Sequence, residues 1–468
     1  MPNAFPYGEQ LRSFLGLISV FAIAWLFSLD RRAFPWRVVF YGTGIQVLFG
    51  LFVLRTQAGS AIFLHLNDGV VRLLQFTTEG SRFLFGSYID RDFTFALHVL
   101  PTIVFFSSLS AILYHLGLMQ VVVRGVAWLM QRTLGTSGAE TLSAAANIFV
   151  GQTEAPLLIR PYVAQMTESE LASVMVGGFA TVAGGVMAAY VGMLSPHFPH
   201  IAGHLIAASV MSAPAALVIS KILVPEKGIP ETLGKLPKDL PTPYVNLIDA
   251  AATGAADGLR LALNVGAMLL AFVALISFTD FLLTLPSHLY NRWAWAKAVV
   301  ALQAKGLALP QGCASQSNSI DASLLIGCIE KASELLGDTS LRAWPEITLE
   351  RILAWIDWPI AILLGVPIED SEKVAAILGK RIVLNEFVAY VDLARNLESS
   401  HPISHRAATI TTYALCGFAN FGSIAIQIGG IGTIAPSRRK DLARLGLRAM
   451  LGGLLASYAT ACVAGIFI

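Results

Sequence analysis

The chain has 468 residues, of which 55% are hydrophobic and only 13% charged, where soluble domains carry roughly 25% charge. A formal net charge of +2 is nearly balanced and gives no reason to invoke nucleic acid as a partner. With no Walker phosphate loop, no His-Glu-x-x-His pair and no nucleophile elbow, the chain reads as an all-α polytopic membrane protein and not as a soluble enzyme.

Hydropathy predicts about eight transmembrane helices, at roughly 13–29, 38–54, 93–118, 171–194, 201–224, 259–285, 407–434 and 445–468. The first run is read as a span and not as a signal peptide. Its one early cation is Arg12, and no small-x-small cleavage pattern follows it. Residues 61–85 are apolar but interrupted by His65, Asn67, Asp68, Arg72, Thr77, Thr78, Glu79 and Arg82, which predicts an interfacial amphipathic helix. Short helices of the same kind are expected at 240–256 and 352–366, and residues 227–243, with four prolines, form a linker.

Between spans three and four lies Asn147-Ile-Phe-Val-Gly151-Gln152-Thr153-Glu154-Ala155-Pro156. The apolar runs on either side, 142–150 and 157–163, are each too short to cross a bilayer. A polar tip between two half-spans predicts a re-entrant hairpin, since irregular backbone at that depth must be buried in protein or line a wet cavity. A carboxylate there, Glu154, is a functional candidate by default. A second interrupted stretch runs from Val374 through Gly379-Lys380-Arg381 and Ile382 to Asn385-Glu386 and on to Leu393.

Each hairpin precedes a span carrying the same tripeptide, Gly178-Phe179-Ala180 and Gly417-Phe418-Ala419, followed by glycine and small polar residues. Breaks are expected in both spans. Three spans per half invert the second half relative to the first. Inverted repeats with paired broken segments point to a secondary transporter whose site lies near the midplane.

Basic clusters fix an orientation. Arg31, Arg32 and Arg37; Arg124 and Arg132; Lys221, Lys227, Lys235 and Lys238; and Arg438, Arg439, Lys440 and Arg444 all fall on one side if both termini lie outside. Residues 288–349 then form an external loop or small subdomain. Cys313 and Cys328 in it are free to pair if that side is oxidising, although nothing in the sequence sets their geometry. Cys416 and Cys462 lie in apolar segments and read as small core residues. The domain plan is therefore scaffold spans at 1–118, a first repeat core at 119–238, an interfacial helix and span six at 239–287, a polar external insertion at 288–349, and a second repeat core at 350–468.

Glu154 and Glu386 are expected to face one cavity from opposite hairpins, and two acidic groups in an apolar medium favour a bound cation, a proton, or donors from substrate hydroxyls and amines, because an ionised carboxylate only accepts hydrogen bonds. Gln152 and Asn420 both donate and accept, Thr153 and Ser423 offer hydroxyls, and Phe418 offers a stacking face. The set suits a neutral, polyhydroxylated, partly aromatic solute. Asn147 with the Val150 carbonyl, and Thr181 with the Val182 carbonyl, supply hard oxygens for sodium. One ion moving down about 100 mV releases roughly 2.3 kcal/mol. A tenfold ion gradient adds about 1.4 kcal/mol, so one ion per solute suffices for strong accumulation.

At Gly151-Gln-Thr-Glu-Ala-Pro156 and Asn385-Glu-Phe-Val-Ala-Tyr390 the chain resembles the concentrative nucleoside transporter family. Ser143-Ala-Ala-Ala-Asn-Ile-Phe149 and Ala414-Leu-Cys-Gly-Phe-Ala-Asn420 add to the likeness, which covers nearly the whole chain. The resemblance implies a homotrimer of protomers with eight spans, two re-entrant hairpins and interfacial helices, and an elevator-like transport domain. It implies that Gln152, Thr153 and Glu154 contact the nucleobase, with Val186 and Phe418 flanking it. Glu386, Asn420 and Ser423 would hold the ribose, and Asn147, Val150, Thr181 and Val182 would bind sodium. Thr-Glu-Ala-Pro at the first tip favours the sodium-coupled branch. The stretch 288–349 is longer than the family's compact bacterial pattern. The expected function is sodium symport of nucleosides into the cell across a plasma or bacterial inner membrane. The alternatives are a proton-coupled symporter of another neutral polar solute, or an intramembrane enzyme, which would need a nucleophile or metal cluster that the sequence does not present.

Overall fold

The computed structural model describes residues 8–90, 94–237, 244–313, 322–338 and 340–468. Lys238, the end of the linker at 227–243, the first residues of the helix expected at 240–256 and residues 314–319 of the insertion lie outside them. Among the described residues the chain is helical, and one isolated bridge, Ser137 to Leu233, is the sole β pairing.

Helices α1 (Gly8–Leu26) and α2 (Trp36–Arg55) are apolar and long enough to span, at 1.5 Å per residue. The amphipathic stretch forms one 29-residue helix, α3 (Gln57–Phe85), begun by Thr56, whose hydroxyl accepts from the Gly59 amide. Next come α4 (Leu100–His115) and α5 (Leu118–Leu134), then α6 (Gly138–Ala146), only nine residues long. Irregular backbone over 147–154 leads into a 3-10 turn (Ala155–Ile159) and the single turn α7 (Arg160–Val163). The chain continues through α8 (Glu168–Ala180), α9 (Gly184–Leu194), α10 (Ile201–Leu223) and α11 (Leu247–Ala304). It ends with α12 (Ala322–Leu336), α13 (Leu349–Leu363), α14 (Ile368–Val383), α15 (Glu386–Glu398), α16 (His405–Leu415), α17 (Phe421–Ile434) and α18 (Arg439–Phe467).

Among the described residues, seven helical segments are long and apolar enough to cross a bilayer, against the eight expected. The missing one is 407–434. Its chain breaks between α16 and α17, where Gly417 adopts φ +141°, leaving pieces of 11 and 14 residues. The segment 168–194 reaches spanning length only by running through a second break, between α8 and α9 at Thr181. One break falls directly after the first tripeptide and the other contains the second, and the two tripeptides touch. A Cβ on Gly417 would lie 2.5 Å from the Phe179 carbonyl oxygen and 2.8 Å from the Ala180 carbonyl carbon, so only glycine permits this crossing. The spanning windows of 168–194, 201–223 and 436–467 are 83–89% buried, whereas those of α1, α2 and 96–115 are 17–28% buried. The broken helix α8–α9, α10 and α18 therefore lie inside protein, and the other three present their apolar surface outward.

Two predicted boundaries differ from the structure. Helix α14 runs unbroken through Gly379-Lys380-Arg381, and the interruption falls at Leu384-Asn385, where Asn385 accepts from the Val388 amide at 2.9 Å. In place of a short interfacial helix, a sixth span and a loop, α11 is one helix of 58 residues that passes through Pro286.

The chain divides into two compact units, residues 270–353 and the remainder. The smaller has its own core, in which Trp295, Ala298 and Leu302 meet Ile329 and Ala332. His288 bonds Glu346 at 3.0 Å, Tyr290 stacks on Trp344, and Cys313 is disulfide-bonded to Cys328. The insertion expected at 288–349 is thus a folded unit that starts earlier in the chain.

In the larger unit, ionic and capping contacts fix the short helices that carry the site. Ser137 and Glu140 form a capping box at the start of α6, and Thr167 and Glu170 form another at the start of α8. Ser137 donates to Glu170 at 2.5 Å, joining the two helix starts. Lys221 of α10 lies beneath them, bonded to Glu140 (2.8 Å), Ser169 (2.9 Å) and Glu226 (3.2 Å). In the second half, Lys380 pairs with Asp392 and ties α14 to α15. Arg381, fully buried, donates to the carbonyls of Ala414 and Gly417 and to Ser457, satisfying backbone oxygens freed by the break after α16.

Candidate functional site

The second carboxylate, Glu386, is the first residue of α15, where the helix dipole favours an anion. It is 6% exposed. Its Oε1 accepts from the Tyr190 hydroxyl at 3.3 Å and its Oε2 from Asn420 Nδ2 at 2.9 Å. Asn420 caps α17, its Oδ1 accepting from the Ser423 amide at 2.9 Å. That capping bond leaves the Asn420 amide nitrogen free to face Glu386.

Gln152, from the first tip, reaches the same place. It is buried, and its Nε2 donates to Ser423 Oγ at 3.4 Å. A polar chain thus runs from Gln152 through Ser423 and Asn420 to Glu386, joining the first irregular tip, the second and the broken helix α16–α17. Val186 is buried on α9 one turn before Tyr190, on the same helix face. Phe418 is half-buried in the break itself.

Glu154 points elsewhere. It is exposed, takes a hydrogen bond from Thr153 at 3.1 Å, and opens into a cavity of about 630 Å³. The cavity walls come from the first tip (Phe149, Val150, Gly151), from α4 (Ser107, Tyr114) and from α11 (Asp257, Leu261), with Tyr244 and Arg160 at its edge. Among the described residues, Glu386 is not part of those walls. The two carboxylates do not line one pocket. Glu154 borders the cavity, while Glu386 is buried and connects to Gln152 through Asn420 and Ser423.

The four expected cation ligands lie on two neighbouring breaks, at the ends of α6 and α8. Asn147 ends α6 and Thr181 ends α8, so two carbonyl-rich helix ends meet there. The Gly184 amide donates to the Phe149 carbonyl at 3.1 Å, drawing Val150 toward the break that holds Thr181 and Val182. Asn147 is fully buried, yet neither atom of its amide has a hydrogen-bond partner among the described residues. A buried polar group in that state is costly unless something fills its coordination. The Thr181 hydroxyl donates to the Gly177 carbonyl at 3.0 Å, which leaves its lone pairs turned outward. This donor set is all hard oxygen and suits a small monovalent cation. Among the described residues, no group of three or more His, Cys, Asp or Glu side chains could hold a metal ion.

Tyr190, Gln427 and Arg381 belong to the site and were not singled out from the sequence. Tyr190 is the lone polar residue of α9 and Gln427 the one amide of α17, and polar groups in apolar helices are a signal by themselves.

The family model described as "Na+ dependent nucleoside transporter C-terminus" matches residues 204–311 and 317–465. The corresponding N-terminus model matches 15–88, and "Nucleoside recognition" matches 96–197. Sodium/nucleoside cotransporter 1 of Mus musculus is 40% identical over 98% of this chain, and Solute carrier family 28 member 3 of Eptatretus stoutii is 39% identical over 98%. The chain spans 64% and 60% of the length of those two relatives. The uncharacterized transporter YutK of Bacillus subtilis is 41% identical and is covered over 98% of its length. Among solved structures, CNTnw in an inward-facing substrate-bound state aligns with a TM-score of 0.78 at 39% identity, covering 98% of this chain and 97% of that one. A CNTnw variant in an outward-facing state aligns at 0.79 and 38%, covering the same shares. With more than half of its length under one family model, the chain belongs to the Na+-dependent, or concentrative, nucleoside transporter family.

Proposed function

We propose that the protein imports nucleosides by sodium symport. The observation that carries this reading is the polar chain from Gln152 to Glu386, together with a fully buried Asn147 whose amide has no partner among the described residues. Gln152, Thr153 and Glu154 recognise the base, flanked by Val186 and Phe418. Glu386, Asn420 and Ser423 hold the ribose hydroxyls. Asn147 and Thr181, with the carbonyls of Val150 and Val182, coordinate the coupling sodium. The ion and the solute share the tip 147–154, so filling one orders the backbone that the other needs.

The two helix pairs α6–α7 and α14–α15 act as re-entrant hairpins, with α3 interfacial and the repeat cores 119–238 and 350–468 inverted. That gives eight crossings once α16 and α17 count as one broken span. The cavity under Glu154 lies where α4 and α11 meet the first tip, and it supports an elevator-like motion of the repeat cores against these scaffold helices. The protein works as a homotrimer in a plasma or bacterial inner membrane with both termini outside. The Cys313–Cys328 disulfide supports that orientation, since it suits an oxidising exterior.

Uridine uptake into proteoliposomes tests the reading. An inward sodium gradient is expected to drive accumulation above equilibrium. Accumulation driven equally well by a proton gradient in sodium-free buffer would favour the proton-coupled alternative, and no uridine uptake under either gradient would remove the nucleoside reading.

A further inference from the structure

Gln427 lies on α17 one turn beyond Ser423 and is fully buried. Its Nε2 donates to two acceptors, the backbone carbonyl of Met175 on α8 and Oε1 of Gln152, each at 3.0 Å. The two ends of a glutamine amide are alike in shape and opposite in hydrogen-bonding sense. A backbone carbonyl only accepts, so the Gln427 NH2 must face Met175. The same NH2 meets Gln152, which can answer only with its oxygen. The nitrogen of Gln152 is thereby turned to the other side, where it meets Ser423. One main-chain oxygen on α8 thus sets, through two amides, which group Gln152 shows to the site.

Helix α8 constrains the pair a second time. A Cβ on Gly178 would fall 2.7 Å from Gln427 Nε2 and 2.9 Å from Gln152 Cβ. The first glycine of the repeated tripeptide is therefore the space in which the two amides seat.

We propose that Gln427 is a positioning residue that holds Gln152 as a hydrogen-bond donor toward the nucleobase. The site then favours bases that offer an acceptor on the edge facing Gln152. This inference rests on the nucleoside reading above and adds a selectivity element to it. Gln427 itself touches Gln152 and α8, and acts on the solute only through Gln152.

A double-mutant cycle read by calorimetric uridine binding to the purified protein in sodium buffer tests it. Gln427→Met keeps the side-chain volume and removes the donor. It is expected to weaken uridine binding about fivefold to tenfold, the effect of one hydrogen bond, while the sodium half-saturation for binding moves less than about twofold. In a Gln152→Met background, adding Gln427→Met is expected to change nothing further, because the group it orients is gone. Fold-changes that multiply in the double variant would mean that Gln427 acts independently of Gln152, and would overturn the proposal. Gly178→Ala displaces the same pair from the α8 side and is read in the same cycle if Gln427→Met does not give monodisperse protein. Weakened binding that is non-additive with Gln152→Met supports the proposal, and multiplicative loss overturns it. Wild-type protein that binds no uridine would instead sink the nucleoside reading, and the present inference with it.

Discussion

Replacing Glu386 by glutamine is expected to lower sodium-driven uridine uptake by at least about a hundredfold while leaving membrane insertion and detergent stability near wild type. The carboxylate has two oxygens, one taken by Tyr190 and one by Asn420, with lone pairs left for ribose hydroxyls. Asn420 has no freedom to turn over, because its oxygen caps the Ser423 amide. Glutamine must therefore give its oxygen to Asn420 and leave its NH2 facing Tyr190 and the solute. A phenol accepts that hydrogen bond readily, so the fold survives. Ribose hydroxyls then meet a donor where they need an acceptor. Each charge-assisted hydrogen bond is worth about 1.5–3 kcal/mol, and losing two amounts to roughly a hundredfold or more. Uptake by the variant within about threefold of wild type would remove Glu386 from the ribose site, since that is less than one bond is worth.

The second large effect concerns stability and lies away from the solute. Lys221→Met is expected to destabilise the protein by about 3–5 kcal/mol, because it strands a buried carboxylate. The side chains of Lys221 and Glu140 are 6% and 1% exposed and their charged atoms are 2.8 Å apart, so solvent does little to screen the loss. Glu140 also closes the capping box of α6, and Glu170, bonded to Ser137, closes that of α8. Disturbing Lys221 therefore loosens the starts of both helices whose far ends carry Asn147 and Thr181. Thermal unfolding in detergent reads the loss directly. Lys221→Met combined with Glu140→Gln is expected to recover much of it, because the second change removes the stranded charge. Equal stability of the single variant and wild type would contradict the buried-pair account.

The parts of the site that could be read in advance are those that violate the chemistry of a bilayer interior. Gly151-Gln152-Thr153-Glu154 and Asn385-Glu386 stand out because polar backbone and carboxylates inside apolar runs are costly. The breaks at Thr181 and Gly417 were marked by the repeated tripeptides, although their mutual contact was not. The role of Arg381 was hidden because its acceptors, at Ala414 and Gly417, exist only once a helix more than 30 residues later has broken. The length of α11 was misjudged for a different reason. Hydropathy falls after residue 285, but hydropathy reports where a helix leaves an apolar medium, and the run of Leu, Ala, Trp and Lys beyond it keeps good helix propensity. The shared pocket expected for the two carboxylates also came out differently. Spacing along the chain says which residues reach a tip, and it does not say which way each one turns.

Sodium symport as proposed requires thermodynamic coupling between a cation at the ends of α6 and α8 and a nucleoside held a few residues further along the same tip. Its most direct test is the calorimetric affinity of the purified wild-type protein for uridine in sodium chloride and in choline chloride at one pH and ionic strength. Sodium is expected to tighten uridine binding at least about tenfold, a coupling of about 1.4 kcal/mol, with uridine tightening sodium by the same factor. Equal affinities in the two salts would contradict it.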